Sequence, residues 1–308
     1  MKFICHFLFI IITLNVSHAA FSFSADTVLP AKHPSTLKEF EDTLKVIGPK
    51  ILQSQTDSAR TANNQIFTYL LKEALQLPNS FEYPFDSLKN VSVRKSDDNV
   101  IKSYTWTRPE VGSNNYSFFG FIQVNNKKKK LTTLIELEDK HEEIQRPETQ
   151  RLDAKNWYGS LYYQILTDKY RKKTTYTLIG WHGNNRKSTK KVIDVLNLNN
   201  NRISFGAPVF KVGNKTQSRM IYEYNAQAVM SLKFEDRKNM IVMDHLSPAS
   251  PALAKLPESY GPDFTYDAFR FKKGKWHFQR NIDINNPASS DPKVKSPPQT
   301  DKIPPVGQ

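Results

Sequence analysis

The chain contains almost no cysteine. Cys5 is the only cysteine among 308 residues, and it lies in an apolar N-terminal segment that we expect to be removed. The mature protein then has no disulfide, no thiol nucleophile, no zinc–thiolate site and no iron–sulfur cluster. A secreted protein of this size must be stabilised by its hydrophobic core, which suits a bacterial periplasm or cell surface better than a eukaryotic extracellular space.

Motifs of several large enzyme classes are also missing. There is no Gly-x-Ser-x-Gly nucleophile elbow, no phosphate-binding loop and no dinucleotide-binding glycine motif. The histidines beyond the N-terminal segment do not have the spacing of metal ligands on a helix. They are His33, His141, His182, His245 and His277. We therefore expect neither a metal nor a cofactor.

Residues 1–20 have the pattern of a secretory signal peptide. Lys2 gives a short positive region, residues 3–16 are apolar, and Ala19 and Ala20 are small residues suited to cleavage. The apolar run is shorter than the roughly 20 residues that a membrane span needs. The pattern predicts export, to the periplasm or to the surface of a Gram-negative bacterium.

Positive charge exceeds negative charge, since 44 Lys and Arg face 30 Asp and Glu for a formal net charge of +14. Such a balance favours anionic partners. In an exported protein these are an envelope protein, an anionic glycan or a lipid headgroup, and nucleic acid is the partner we expect least. Solvated turns are the alternative explanation for the basic runs. Those runs contain Lys127, Lys128, Lys129, Lys130, Lys169, Arg171, Lys172 and Lys173.

The N-terminal part of the folded region predicts two helices. Apolar residues recur at three- and four-residue spacing over residues 36–47, which predicts a first helix. Gly48-Pro49 should end this helix. A second helix is expected over residues 58–77, with Asp57 as its N-cap.

Residues 85–284 consist of strand-length apolar runs separated by polar turns. Without crossover helices the strands must be mostly antiparallel, and about ten to twelve of them exceed one flat sheet. We predict a mainly β protein, an antiparallel sandwich or an open barrel, with two N-terminal helices and α+β overall. The expected organisation is a signal peptide (1–20), a linker (21–33), a helical segment packed on the β body (34–84), the β domain (85–284) and a disordered Pro-rich tail (285–308). Residues 229–234 are predicted as a strand and residues 247–263 as a Pro-rich loop.

Several motifs in this β region carry a resemblance to a known family. They are YTLIGW at 176–181, GN at 183–184, KKVIDVL at 190–196, FGAP at 205–208, IYEY at 221–224, DHL at 244–246, YGPD at 260–263 and YD at 266–267. Over residues 58–284 the chain resembles a family of uncharacterised exported proteins of Bacteroidetes. The resemblance implies export and a β-rich body, and it implies no activity. That family usually has Asp where this chain has His182.

The first candidate site is the turn that follows Trp181. An indole face can stack on a sugar or an aromatic ligand, and His182 and Asn184 can supply hydrogen bonds. The alternative is a core tryptophan followed by an Asn/Gly turn. Tyr260 and Tyr266 are further ligand-binding candidates, or else tyrosines that pack on the core.

The second candidate site is catalytic and contains Asp244, His245, Asp263 and Asp267. A carboxylate beside an imidazole can orient a general base, although adjacent strand residues such as Asp244 and His245 point to opposite faces. Glycoside hydrolysis requires two carboxylates about 5 Å or about 6.5–9.5 Å apart.

Three functional hypotheses follow. The first is a non-enzymatic binding or envelope-associated module with a basic surface. The second is a glycan-directed hydrolase that uses Asp244, Asp263 and Asp267. The third is a membrane-surface adaptor that acts through lysine-rich hairpin tips.

Overall fold

The computed structural model describes residues 33–113, 115–126 and 131–283, and it is mainly β with two helices near its N-terminus, as predicted. The helices are α1 (Leu37–Gln53) and α2 (Asp57–Gln76). The strands in these ranges are β1 (Ser92–Lys95), β2 (Ile101–Pro109), β3 (Tyr116–Asn126), β4 (Leu131–Glu138), β5 (Leu161–Tyr170), β6 (Lys173–His182), β7 (Ser188–Asn199), β8 (Arg202–Phe205), β9 (Phe210–Val212), β10 (Lys215–Gln217), β11 (Met220–Asn225), β12 (Leu232–Glu235), β13 (Met240–Pro248), β14 (Tyr260–Lys272) and β15 (Lys275–Gln279). Two 3-10 helices, Pro251–Leu253 and Pro257–Ser259, separate β13 from β14. The expected signal peptide and tail, and all but the last residue of the expected linker, lie outside the described residues.

The strands form three open sheets rather than a closed barrel within the described residues. The first sheet has the order β1-β2-β3-β4. The second has the order β11-β7-β6-β5, with β8 also paired to β7. The third has the order β10-β9-β15-β14-β13-β12. Among the pairs of strands in the described ranges, only β15 with β9 is parallel, so the prediction of mostly antiparallel strands is confirmed.

Three apolar cores stack these elements into layers. The helices pack on one face of the first sheet, the other face of that sheet packs on the second sheet, and the second sheet packs on the third. The second sheet is therefore buried on both faces. On β7, Val192 and Leu196 face the first sheet while Ile193 and Val195 face the third. Burial of both faces explains the nearly continuous apolar run along this strand.

The prediction that Pro49 ends the first helix is wrong, since α1 continues to Gln53. A proline inside a helix removes one hydrogen bond and costs about 3 kcal/mol. The extra turn buries Ile51 completely, and burial of such a side chain stabilises the folded state by about 1.5–3 kcal/mol. Gly48 also fits closely against Asn90, because a Cβ there would lie 2.3 Å from the Asn90 Oδ1 atom.

The N-cap of α2 is Thr56 rather than Asp57. The Thr56 hydroxyl accepts the Ala59 N–H, and Asp57 is the first helical residue. The Asp57 carboxylate accepts the Val111 N–H over 2.8 Å, so this side chain joins the helix to the turn after β2.

Two predictions in the third sheet need correction. The expected Pro-rich loop is shorter, because β13 runs to Pro248 and β14 begins at Tyr260, with Ser247 opposite Gly261. A terminal strand position tolerates proline because no ladder hydrogen bond from its nitrogen is required. The strand expected from residue 229 begins at Leu232 instead.

A buried ion pair lies in the core between the first two sheets. Arg219 Nε donates to Asp194 Oδ2 over 2.7 Å, and both side chains are fully buried. The guanidinium also lies 5.6 Å from the centroid of the Tyr158 ring. Sequence patterns did not indicate this pair, because Asp194 stands inside an apolar strand without any sign of its partner.

Candidate functional site

Two hairpin tips lie side by side at one end of the second and third sheets. Arg171 and Lys172 connect β5 to β6, and Lys273 and Gly274 connect β14 to β15. The tips meet where the Tyr170 ring covers Gly274, since a Cβ on Gly274 would lie only 2.7 Å from Tyr170 Cδ1. Gly274 also has a φ of +78°, a conformation that glycine adopts without strain.

The joined tips form a surface of exposed basic side chains, which we call the basic tip surface. None of its members forms an ion pair with a carboxylate in the part of the chain that the structure describes. The seven members are Lys169, Arg171, Lys172, Lys173, Lys272, Lys273 and Lys275. The structure thus brings together four predicted residues and three that the sequence analysis did not include. The predicted lysines at positions 127–130 lie outside the described residues.

A buried hydrogen-bonded chain links the two hairpins beneath this surface. Trp276 Nε1 on β15 donates to Thr177 Oγ1 on β6 over 3.0 Å, and the Thr177 hydroxyl donates to the Asp168 carboxylate. Burial raises the pKa of Asp168 to about 7, although the hydrogen bonds from Thr177 and Trp276 act in the opposite direction. A carboxyl group that titrates near neutral pH therefore lies below a cluster of cations.

The opposite end of the second sheet carries a cleft of about 320 Å³. Its lining includes Trp181 on β6, Lys191 on β7 and Tyr116 at the start of β3. The Tyr116 and Trp181 rings meet edge to face, with their centroids 5.3 Å apart. Gly183 permits this contact, because a Cβ there would lie 2.3 Å from Tyr116 Cδ2. We call this site the Trp181 cleft, its side of the molecule the cleft end, and the opposite side the tip end.

The other two residues predicted around Trp181 do not contribute to this cleft. His182 is fully buried and stacks on Phe118 with centroids 4.5 Å apart. Burial lowers the pKa of His182 to about 2, so this imidazole is neutral. The amide of Asn184 donates to Ser188 and Glu223, which closes the turn. His182 therefore belongs to the core and Asn184 to the turn, whereas Trp181 is only partly buried and lines the cleft.

The third sheet has a polar cluster at its cleft end. His245 Nδ1 lies 2.7 Å from Asp267 Oδ2, and Ser247 Oγ donates to Asp263 Oδ2 over 2.6 Å. The pairing of β13 with β14 shifts between Asp244 and Leu246, which brings His245 close to these carboxylates. An imidazole held by a carboxylate is a competent general base. The Ser247 hydroxyl is bonded to Asp263 and not to His245, so the serine is not activated as a nucleophile.

Asp244 lies apart from this cluster, on the other face of β13. Its Oδ2 accepts the Ser231 N–H over 2.7 Å, and it lines a separate pocket of about 300 Å³ beside Tyr266. Tyr260 packs against the core between the second and third sheets, and its hydroxyl donates to the Ala254 carbonyl over 2.8 Å. The two predicted tyrosines therefore belong to different surroundings.

The three carboxylates of the hydrolase hypothesis have different hydrogen-bond partners. Hydrogen bonds from Ser247 and Thr265 lower the pKa of Asp263 to about 2, so Asp263 is ionised at neutral pH and cannot donate a proton. A glycosidase needs one carboxyl that stays protonated. Asp267 is already bonded to His245.

One cluster was missed at the sequence level, around Asp139 and His141. His141 Nδ1 lies 2.9 Å from Asp139 Oδ1 and 3.0 Å from Asp139 Oδ2. The same carboxylate also accepts the N–H groups of Phe118 and Gly159. Asp139 and His141 line an acidic cleft of about 540 Å³, and three of the glutamates in its lining are paired with lysines. A carboxylate that accepts this many hydrogen bonds holds loops together, so we assign Asp139 a structural role. The polar stretch after β4 gave no signal for it.

Comparisons with protein-family models, curated proteins and solved structures give no match to this chain. Within the described residues, no His, Cys, Asp and Glu side chains are grouped as a metal site would require. Neither α1 nor α2 combines the length and the apolar character needed to cross a lipid bilayer.

Proposed function

We propose that this protein is an exported, non-enzymatic binding module of a Gram-negative cell envelope, and that it attaches to anionic lipid headgroups through the basic tip surface. The observation that carries the proposal is the joining of two hairpins into one surface of seven exposed cations without a carboxylate partner among the described residues. The leader pattern of residues 1–20 supports export.

The electrostatics of the surface favour a charged membrane. Each Lys or Arg near an anionic bilayer contributes about 1 kcal/mol, and the attraction decays over a Debye length of about 10 Å at 0.1 M salt. Tyr170 lies among the cations, is 36% exposed, and carries the Arg171 guanidinium 5.3 Å from its ring centroid. An amphipathic tyrosine suits the headgroup region of a bilayer. Binding rather than catalysis is supported by the separation of Asp244 from the other candidate carboxylates.

Vesicle co-sedimentation tests this function. We expect the mature protein to bind vesicles that contain phosphatidylglycerol, to ignore vesicles of phosphatidylcholine, and to be released as salt rises. The variant Arg171→Ser with Lys172→Ser, Lys272→Ser and Lys273→Ser removes four cations from the tips. Since each contributes about 1 kcal/mol, it should bind at least tenfold more weakly.

A matched control changes net charge without touching the tips. Lys45→Ser with Lys89→Ser, Lys187→Ser and Lys255→Ser removes four exposed lysines from other surfaces and should retain most of the binding. Equal losses in the two variants would reduce the effect to net charge, and binding that ignores salt or lipid charge would overturn the proposal.

A further inference from the structure

The strand register places two side chains that line the Trp181 cleft next to each other, and it places Tyr222, which lies outside the lining, beside them. Trp181 on β6 is directly opposite Lys191 on β7, and Lys191 is directly opposite Tyr222 on β11. Directly opposed residues have Cβ atoms about 4.5–5.5 Å apart and project from the same face. This face of the second sheet is the one that packs on the third sheet.

Lys191 is half-buried and lacks an acceptor for its ammonium group. In the described part of the chain it forms no ion pair and no hydrogen bond, and its Nζ lies 4.8 Å from the Tyr163 ring centroid. Burial lowers its pKa. A partly desolvated ammonium with three N–H donors and no acceptor is costly, and a bound anion would remove that cost.

The neighbouring lysine shows that this arrangement is particular to one residue. Lys190 belongs to the other face of β7, and its Nζ lies 3.6 Å from Glu223 Oε2. The two lysines are adjacent in sequence, and within the described ranges only Lys190 has a carboxylate partner.

Tyr222, on the strand next to Lys191, lies outside the lining of the cleft. Its hydroxyl is buried and has no hydrogen-bond partner among the described residues. Buried hydroxyl groups nearly always have a partner. Because the Tyr222 hydroxyl is not part of the cleft, the reason to expect a polar ligand there is the Lys191 ammonium.

The rest of the lining suits a ring-shaped molecule. Trp181 and Tyr116 provide an aromatic wall, and the side chains of Asn185 and Thr189 add polar groups. Aromatic faces pack against the apolar faces of sugar rings, while polar groups fix orientation. A volume of about 320 Å³ is at the lower end of the 300–1,000 Å³ range of ligand sites.

We propose that the Trp181 cleft binds a carboxylated sugar residue, with the ring against the Trp181–Tyr116 wall and the carboxylate on the Lys191 ammonium. This site is separate from the basic tip surface and does not depend on membrane attachment. It would let the protein recognise an acidic glycan while its tip end contacts lipid.

Titration with glucuronate tests the proposal, with binding followed by tryptophan fluorescence and by calorimetry. Glucuronate should bind the wild-type protein at least tenfold more tightly than glucose, which lacks the carboxylate, and more tightly than inorganic phosphate, which lacks the ring. This comparison requires no variant. Equal binding of glucuronate and glucose, an equal response to phosphate, or no glucuronate binding would overturn the proposal.

Variants then assign the site to its residues. Lys191→Met keeps the apolar stem and removes the charge, and should weaken glucuronate binding at least tenfold, whereas Lys191→Arg should retain it. Lys190→Met is the matched control and should bind as the wild type does. The four-residue tip variant should also bind glucuronate normally, which separates this proposal from the function proposed for the tips. Normal binding by Lys191→Met would rule out the assigned site.

Discussion

The tip end and the cleft end of the molecule hold positive charge in opposite ways. At the tip end, seven exposed cations lie in water, where desolvation costs little and salt screens their attraction for a partner. At the cleft end, the half-buried Lys191 has no acceptor among the residues that the structure describes, so one charge carries a desolvation cost that a specific ligand can offset. If both proposals hold, the tips attach to anionic lipid without selecting among headgroups, and the cleft selects a carboxylated sugar.

The largest expected effect concerns the centre of the sheet that connects the two ends. Asp194→Asn leaves the buried Arg219 without its counter-charge, because the pair is fully buried at 2.7 Å. Breaking such a pair costs about 3–5 kcal/mol, and we expect the free energy of unfolding in urea to fall by that amount. Both ends should lose function together, since they share this sheet.

The matched variant replaces both partners. Asp194→Leu with Arg219→Met removes the two charges at once and should recover most of the lost stability, since an apolar pair can substitute for a buried ion pair. If Asp194→Asn alone unfolds at the same urea concentration as the wild type, that result would contradict the role that we assign to this pair.

The next prediction uses the buried carboxyl at the tip end. Burial raises the pKa of Asp168 to about 7 from 3.8, so the folded state holds a proton that the unfolded state releases between these pH values. Stability that is present below pH 4 is therefore lost as pH rises towards 7, by an amount on the order of a few kcal/mol.

Asp168→Asn isolates this effect, because the amide keeps an oxygen for the Thr177 hydroxyl and cannot ionise. The variant should lose the fall in stability between pH 4 and 7 and should be more stable than the wild type at pH 8. Thermal melts across this range measure both. A wild-type decline that persists unchanged in the variant would assign the titration to another group.

The layered fold could be predicted in outline, but the order of the strands within its sheets could not. Apolar alternation over residues 116–124 and 131–137 is typical of a hairpin, which the structure has as β3 and β4. The adjacency of β15 and β9, which pair in parallel, leaves no local trace in the sequence. The same limit applied to α1, which continues past Pro49 and buries Ile51, a tertiary contact that the local sequence does not indicate.

The candidate sites show the same division between local and non-local information. The basic turn at Arg171 was visible in the sequence, but its contact with Gly274 depends on how two sheets are packed. Lys190 and Lys191 look alike in sequence, and only their opposite faces distinguish the paired lysine from the unpaired one. Strand alternation could have separated His182 from Trp181, since neighbouring side chains point to opposite faces.

A smaller effect is expected where the two tips meet. Gly274→Ala places a Cβ 2.7 Å from Tyr170 Cδ1 at a φ of +78°, and we expect the unfolding free energy to fall by about 1–2 kcal/mol from the backbone alone. The displaced tip should also weaken vesicle binding. Gly213→Ala is the matched control, because Gly213 has a φ of +57° with nothing within 4 Å of an added Cβ. Vesicle binding that falls equally in both variants would show that contact between the tips is unimportant.

The smallest expected effect is at the cleft end, where a carboxyl has the opposite pKa shift from Asp168. Hydrogen bonds from Ser247 and Thr265 lower the pKa of Asp263 to about 2, so its contribution to stability is present above the unfolded pKa near 4 and is lost as pH falls towards 2. Because the group is close to solvent, the change in unfolding free energy should be well under 1 kcal/mol. Asp263→Asn should remove the pH dependence of thermal stability only below pH 4, whereas Asp168→Asn should remove it only above pH 4. An Asp263 variant that alters the pH 4–7 range would mean that the two ends are coupled through the third sheet and do not titrate independently.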